Sequence, residues 1–137
     1  MRIIHKIEKG IQTYVAILGL LTICSGCGQS VTKSRLVGMY VAKYAVASET
    51  LKLLPDGTFT QQIVLSSNHQ VIATNGTWAL GYEGGDMITF QNGYLIVLDG
   101  FGHERKPPLP GTAVLPVSFW FGKIHIGGDP TIEYKQL

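Results

Sequence analysis

The sequence has little charge, and this shortage excludes one large class of function. Only 15% of the 137 residues are charged, and beyond the first nine residues the basic and acidic side chains number eight each. This part of the chain, with no net charge and no basic run, lacks the electrostatic surface that binds a phosphate backbone, so nucleic acid is not an expected partner. The length fits a single domain and excludes a large enzyme scaffold.

Cysteine is almost absent, and its two positions are both near the start of the chain, at Cys24 and Cys27. The residues from Gly28 to Leu137 therefore contain no disulfide, no thiolate nucleophile and no cysteine-based metal site. The histidines of this region are far apart and lack the close spacing of metal-binding motifs: His69, His103 and His125. No catalytic serine motif or glycine-rich phosphate loop is present. We therefore predict no cofactor and no metal.

The first 26 residues have the three-part layout of an export signal. Residues 1–9 are polar and net positive, the mostly apolar run Ile11–Ile23 follows, and small residues precede Cys27. The run is shorter than the roughly 20 apolar residues that a membrane-spanning helix needs. We therefore expect residues 1–26 to be a signal peptide that contains a hydrophobic helix. An ordinary secretion signal or an uncleaved anchor is the alternative.

The end of this signal is its most informative part. The segment LLTICSGC, which ends at Cys27, resembles the lipobox of bacterial lipoproteins, although Cys24 stands where that family usually has leucine. The resemblance implies that Cys27 becomes the acylated first residue and that residues 27–35 tether a domain to the membrane, outside the cytoplasm, in the cell envelope. Several long acyl chains would hold it firmly, because each buried methylene contributes about 0.8 kcal/mol. Gly28, the residue after Cys27, slightly favours the outer membrane as the destination of the lipoprotein.

Residues 36–137 have the pattern of one all-β domain. Short runs of β-branched and aromatic residues alternate with turn signals, which predicts a small antiparallel meander of about eight strands, either a barrel or a sandwich. Pro55-Asp56-Gly57 is the clearest turn. The expected strands are Val37–Tyr44, Glu49–Leu54, Thr58–Leu65, Val71–Leu80, Met87–Phe90, Tyr94–Leu98, Ala113–Phe121, Lys123–Ile126 and Thr131–Lys135, with a further turn at Asn92-Gly93.

Three short motifs carry a resemblance over this domain. The segments LKLLPDGTFT (51–60), NGTW (75–78) and ITF (88–90) resemble small lipocalin-like bacterial domains, in which a meander of antiparallel strands carries a DGTF-type hairpin and a G-T-W strand. The resemblance covers residues 36–137. It implies a fold and no particular activity, since one fold supports many functions.

The densest group of polar residues lies in a segment predicted to be a long loop, residues 99–112. Asp99, His103, Glu104 and Arg105 bring acids, a base and a cation together, which makes them candidates for contact with a ligand or partner. A solvated loop is the simpler interpretation. A hydrolase or lyase that uses His103 with Asp99 or Glu104 would need the imidazole within about 3 Å of a carboxylate inside a concave site.

Trp120 is the other candidate contact residue. It lies between Phe119 and Phe121, and alternation along a strand would send Trp120 to one face and both phenylalanines to the other. Closure of the core is the expected role of this aromatic run, with a ligand or partner as the alternative.

The sequence therefore predicts a lipid-anchored envelope protein that acts as a binding or structural module. The second hypothesis is a lipocalin-like carrier of a small apolar ligand, with Phe59, Ile63 and Trp78 lining its cavity. A cavity smaller than about 300 Å³ would argue against a carrier. Beyond the membrane, which the chain would contact through its lipid, the sequence identifies no partner.

Overall fold

The computed structural model describes residues 31–81, 86–99, 101–129 and 132–137. The predicted signal peptide and the predicted lipidation site at Cys27 lie outside the described residues. Among the residues that are described, no helix has the length and apolar character that a membrane span requires.

The described residues form one short helix and eight strands that close into a barrel. Each strand pairs antiparallel with the next along the chain, and β8 returns to pair with β1. The bounds are α1 Lys33–Leu36, β1 Gly38–Tyr44, β2 Ala47–Leu53, β3 Thr58–Leu65, β4 Val71–Leu80, β5 Met87–Leu98, β6 Glu104–Trp120, β7 Lys123–Asp129 and β8 Ile132–Gln136. The all-β antiparallel prediction is confirmed, and the architecture is a barrel and not a sandwich.

The β2–β3 hairpin shows how the sequence directs this fold. Along both strands buried residues alternate with more exposed ones, as a sheet with one face in a core requires. In the turn, Asp56 Oδ1 accepts hydrogen bonds from the Thr58 backbone N at 2.9 Å and the Thr58 hydroxyl at 2.7 Å. Gly57 adopts a φ of 88°. The predicted turn at Pro55-Asp56-Gly57 is therefore confirmed, and the bonds from Thr58 lower the pKa of Asp56.

Two predicted connections are strand in the structure. The predicted turn at Asn92-Gly93 lies inside β5, where a register shift between Phe90 and Tyr94 keeps one continuous strand. The predicted loop over residues 99–112 is wrong after residue 103, because β6 begins at Glu104. Its prolines at 107, 108 and 110 lack the backbone N–H that a central strand needs. They are tolerated because β6 is in register with β7 only from Val117 to Trp120.

Side chains fill most of the barrel interior. The rings of Phe59 and Phe90 meet edge to face with centroids 5.3 Å apart, and Phe90 stacks on Tyr94 at 5.1 Å. Trp78 belongs to the same cluster, while Ile63 belongs to a smaller second cluster. Aromatic pairs in these geometries add about 0.5–1.5 kcal/mol beyond the area they bury.

Gly76, in the middle of β4, marks a close approach of the backbone. A Cβ atom there would lie 2.3 Å from the carbonyl oxygen of Gln91 and 2.7 Å from the ring of Phe59. Only glycine leaves room for the ring of Phe59 and the neighbouring strand together. The glycine is therefore a packing requirement of the core.

Helix α1 closes one end of the barrel, which we call the α1 end. Leu36 is fully buried there, and the Tyr40 hydroxyl donates to its carbonyl oxygen at 2.7 Å. Burial raises the pKa of Tyr40 to about 12. Val31 packs against the same cluster, so part of the predicted tether lies on the barrel. Because turns of a meander alternate between ends, the β6–β7 turn is at the α1 end and the β5–β6 turn is at the opposite end.

Candidate ligand-binding site

Two polar side chains, Glu49 and Gln61, are buried inside the barrel. Both occupy inward positions, Glu49 on β2 and Gln61 on β3, and the other inward residues of these two strands are apolar. The register pairs Leu51 with Gln61 and Glu49 with Ile63, so the two polar residues lie diagonally across neighbouring strands. Gln61 Nε2 donates a hydrogen bond to Glu49 Oε2 at 2.8 Å.

Three tyrosines complete the network around this carboxylate. Tyr44 donates its hydroxyl to Glu49 Oε1, and Tyr134 donates its hydroxyl to Oε2. The Tyr94 hydroxyl lies 3.1 Å from that of Tyr134. Since the Tyr134 proton is used on Glu49, Tyr94 is the donor of that pair. We call Tyr44, Glu49, Gln61, Tyr94 and Tyr134 the Glu49 network.

Gln61 also fixes the backbone of β5 to the interior. Its Oε1 accepts from the Leu95 backbone N at 2.9 Å, and its Nε2 donates to the Leu95 carbonyl oxygen at 3.1 Å. Leu95 follows the register shift of β5, and β4 is in register with β5 only from residue 77 to residue 80. The amide of Gln61 therefore satisfies backbone groups that the β4–β5 ladder leaves unpaired.

Electrostatically, the network places a carboxylate in the interior without a cation. Among the described residues, no ion pair involves Glu49. Burial first and the Glu49 charge second raise the pKa of Tyr44 and of Tyr94. The pKa of Tyr134 is raised well above 10.0 by burial, with Tyr94 and Glu49 adding to the effect. The three phenols therefore stay neutral, and Tyr44 and Tyr134 donate to the carboxylate while Tyr94 donates to Tyr134.

A pocket reaches this network through the wall of the barrel. It has a volume of about 490 Å³ and lies between β5, β6 and β8, with Glu49 at its inner side. We call it the β5–β6 pocket. Its lining is apolar except for Glu49, Tyr94 and Thr112; the other lining residues are Leu95, Ile96, Val97, Ala113, Val114, Leu115, Pro116 and Ile132. The pocket borders the part of β6 that precedes its registered pairing with β7.

The residues that the carrier hypothesis placed along a cavity do not line this pocket. Phe59 and Ile63 are fully buried and Trp78 nearly so, each packed against other core side chains. Their alternation correctly indicated an inward direction. Large apolar side chains at those positions fill the barrel, and the space remains beside β6, where smaller residues such as Ala113 occur.

Asp99 and His103 form a tight turn at the end opposite α1. Asp99 Oδ1 accepts from the backbone N of Phe101 at 2.8 Å and of His103 at 2.9 Å, and these bonds lower the pKa of Asp99. His103 Nδ1 lies 3.5 Å from Asp99 Oδ2, and the His103 side chain is 79% exposed. The condition for the hydrolase or lyase hypothesis, a close pair inside a concave site, is not met.

Glu104 and Arg105 begin β6 beside this turn. Glu104 Oε1 accepts from the Ser67 hydroxyl at 3.1 Å, which joins the β5–β6 turn to the β3–β4 turn, and Glu104 Oε2 lies 3.6 Å from Lys106 Nζ. Arg105 Nε is buried without a hydrogen-bond partner. Neither residue lines the β5–β6 pocket.

Trp120 does not close the core. Its side chain is 62% exposed, and the neighbouring Phe119 and Phe121 are exposed as well, 38% and 100%. The expected alternation fails because Trp120 pairs with Lys123 at the last rung of the β6–β7 hairpin, where the sheet ends. All three aromatic side chains therefore face solvent.

The residues that form the site are not among those predicted from the sequence. Glu49 occupies the same inward register as Leu51 and Leu53 in β2, and a carboxylate in such a position was a visible signal. The tyrosines gave no signal, because Tyr44, Tyr94 and Tyr134 come from three distant strands and meet only when the barrel closes.

Among the described residues, no three histidine, cysteine, aspartate or glutamate side chains are placed to hold a metal ion. Comparisons with family models, with curated proteins and with solved structures find no match to this chain. An eight-stranded closed barrel is nevertheless an architecture that fits a binding or carrier module, since barrels of about this size can hold one small ligand.

Proposed function

We propose that this protein is a lipid-anchored binding module that holds a small, mainly apolar amine in the β5–β6 pocket. The observation that carries the proposal is a pocket of about 490 Å³ with apolar walls and a buried carboxylate at its inner side. Ligand pockets of proteins usually measure about 300–1,000 Å³ and combine apolar walls with a few polar groups that orient the ligand.

The chemistry of Glu49 selects the polar end of the ligand. A carboxylate has about four lone-pair positions for hydrogen bonds. Tyr44, Tyr134 and Gln61 occupy three of them, so one acceptor position remains for a donor from the pocket. The Glu49 charge has no cationic partner among the described residues, which favours an ammonium group over a neutral or acidic one.

The location of the module is proposed from the N-terminal sequence. The lipobox resemblance at Cys27 supports a lipoprotein whose residues 1–26 are removed and whose barrel lies outside the cytoplasm in the cell envelope. Intact-mass measurement of the protein from host membranes, beside a Cys27→Ala variant, tests this part. The expected product begins at Cys27 and carries acyl mass. An uncleaved or unacylated chain would refute lipid anchoring and leave the pocket untouched.

Photolabelling tests the ligand, because it works on the membrane-bound chain. The probes are a medium-length alkylamine and the matching alkyl carboxylic acid, each with a diazirine in the chain. We expect the amine to label peptides that contain Leu95–Val97 or Ala113–Leu115, and the acid to label them much less. Equal labelling by both probes, or labelling confined to surface peptides, would contradict the proposal.

Ala113→Phe supplies the blocking variant and Ala79→Phe its control. Ala113 lines the pocket, while Ala79 is exposed on β4, so the same side chain is added inside and outside. We expect Ala113→Phe to reduce amine labelling of the pocket about tenfold, equivalent to about 1.4 kcal/mol of binding. Ala79→Phe should leave it unchanged. Glu49→Gln should remove the preference for amine over acid.

A further inference from the structure

Three consecutive exposed aromatic residues lie at the α1 end. Phe119, Trp120 and Phe121 form the end of the β6–β7 hairpin, and we call them the aromatic tip. On the neighbouring strands, Met39 is 43% exposed and Leu137 is 71% exposed. The Leu137 backbone N donates to the Met39 carbonyl oxygen at 3.0 Å, so these two side chains lie on adjacent chain segments at the same end.

The backbone of the aromatic tip shows that this exposure is a feature of the turn itself. Phe121 has a φ of 49° and Gly122 a φ of 79°, which are left-handed values for both central residues of a two-residue hairpin turn. Such positions favour asparagine and glycine, and a bulky residue there carries a cost of about 1–2 kcal/mol. A fully exposed phenylalanine at that point contributes nothing to the core that could offset the cost.

Basic side chains lie beside the aromatic tip and elsewhere at the α1 end. The Arg35 guanidinium lies 4.9 Å from the centroid of Phe119, and Lys33 Nζ lies 5.5 Å from the centroid of Trp78. Lys123 is exposed in the next strand. The acidic residues described at this end are Asp56, which is bonded to Thr58, and Asp86. Aromatic rings with flanking lysine and arginine are typical of surfaces that lie in a membrane interface.

The start of the barrel is at the same end. Arg35 belongs to α1 and touches Phe119, so the N-terminal segment and the aromatic tip are in direct contact. Cys27 precedes Val31, the first described residue, by four positions. Four residues reach at most about 14 Å. An acylated Cys27 would therefore hold the aromatic tip within reach of the bilayer surface.

From this placement we propose that the aromatic tip inserts into the headgroup region of the bilayer and fixes the orientation of the barrel on the membrane. The proposal rests on the lipid anchoring of Cys27. With the α1 end facing the membrane, the β5–β6 turn points away from it, and the β5–β6 pocket opens sideways through the wall. The lipid anchor limits the distance between the barrel and the bilayer, and the aromatic tip sets the orientation of the barrel.

Tryptophan quenching by brominated lipid tests this contact directly. The chain is purified from host membranes and reconstituted into vesicles of phosphatidylcholine and phosphatidylglycerol with bromines at shallow or deep positions. Trp120 is observed alone in a Trp78→Phe variant, and Trp78 alone in Trp120→Phe. We expect shallow bromines to remove more than about half of the Trp120 emission, since interfacial side chains sit about 5–10 Å into the headgroup boundary. Trp78 is buried and should be quenched far less.

Phe121→Asn and Phe101→Asn form a matched pair of variants. Both phenylalanines are exposed, 100% and 88%, and asparagine tolerates the left-handed backbone at position 121. Phe101 lies in the turn at the opposite end. We expect Phe121→Asn to reduce the quenching of Trp120 by brominated lipid at least twofold. Phe101→Asn should leave this quenching unchanged. An equal effect of both variants would overturn the proposal.

Two other outcomes would also overturn it. Trp120 that is open to acrylamide and unaffected by brominated lipid would show that the aromatic tip stays in water. If Trp120 is shielded from acrylamide but is not quenched by brominated lipid, a protein, such as a second copy of the chain, covers the aromatic tip. Because intact mass and pocket labelling are read separately, failure of the membrane contact is distinguishable from failure of the anchor or of ligand binding.

Discussion

Alkaline pH should strongly destabilise this barrel, because its buried phenols cannot ionise in the folded state. Tyr94 and Tyr134 lie in the Glu49 network, and the pKa of each is raised above 10.0, chiefly by burial. In the unfolded chain both phenols ionise near the ordinary value. Above it the unfolded state binds fewer protons than the folded state, so the free energy of unfolding falls as pH rises.

Burial also raises the pKa of Tyr40 and Tyr44, so the slope follows from four groups. Each phenol that stays protonated in the folded state lowers stability by about 1.4 kcal/mol per pH unit above its unfolded pKa, and the four together by about 5 kcal/mol per unit. Total stabilities of domains are about 5–15 kcal/mol. One or two units above pH 10 should therefore remove a large part of the stability, while the range from pH 7 to pH 9 should change it little.

Urea unfolding at a series of pH values measures this effect, with Trp78 fluorescence as the probe of the folded barrel. Tyr94→Phe is the partner variant, since its hydroxyl bonds only to that of Tyr134 among the described residues. It should lower stability at neutral pH by about 0.5–1.5 kcal/mol and reduce the alkaline slope by about a quarter. The reasoning is refuted if every tyrosinate appears near pH 10 while the barrel remains folded, or if the slope does not change in the variant.

Three further changes test the network, the core and the β2–β3 turn. Glu49→Leu leaves three buried donors without an acceptor and should lower the free energy of unfolding in urea by about 3–5 kcal/mol, while Glu49→Gln, which keeps an acceptor, should cost less. Gly76→Ala forces a Cβ to within 2.3 Å of a carbonyl oxygen and should cost about 1–3 kcal/mol in the same assay, more than Gly102→Ala, which has open space and only an unfavourable φ. Asp56→Ala should lower the melting temperature at pH 7, because Asp56 accepts two bonds from Thr58. Its lowered pKa means that this stabilisation is present above the unfolded value of 3.8 and is lost as pH falls through the folded pKa, so wild type and variant should converge in acid.

Local patterns in the sequence were sufficient for most strands and for the clearest turn. Alternation along Thr58–Leu65 and the chemistry of Pro55-Asp56-Gly57 act within a few residues, and both predictions agree with the structure. Closure of the barrel is different, because the pairing of Tyr40 with Gln136 depends on residues at opposite ends of the domain. A pattern read along the chain contains no information on which edges meet.

The errors have physical causes of the same kind. The loop predicted over residues 99–112 includes the prolines of β6, and proline is compatible with a strand whose second edge is unpaired, as here, where the register with β7 begins only at Val117. Trp120 was expected in the core, although the hairpin ends at that residue. The candidate site could not be predicted as a whole for a related reason. The inward position of Glu49 was detectable from the alternation along β2, but its partners reach it only through the tertiary structure.

The short seam between β1 and β8 has a consequence for how the chain reaches this fold. Its register comprises the pairs Tyr40 with Gln136 and Val41 with Lys135, which join segments from the two ends of the domain. Contacts of such large sequence separation form slowly, because the intervening chain must be ordered first. Until the last strand is in place, β1 presents an unpaired edge that can pair with another chain. During folding, closure of the seam therefore competes with association through that edge, and slow pairing of the final strand would favour aggregation.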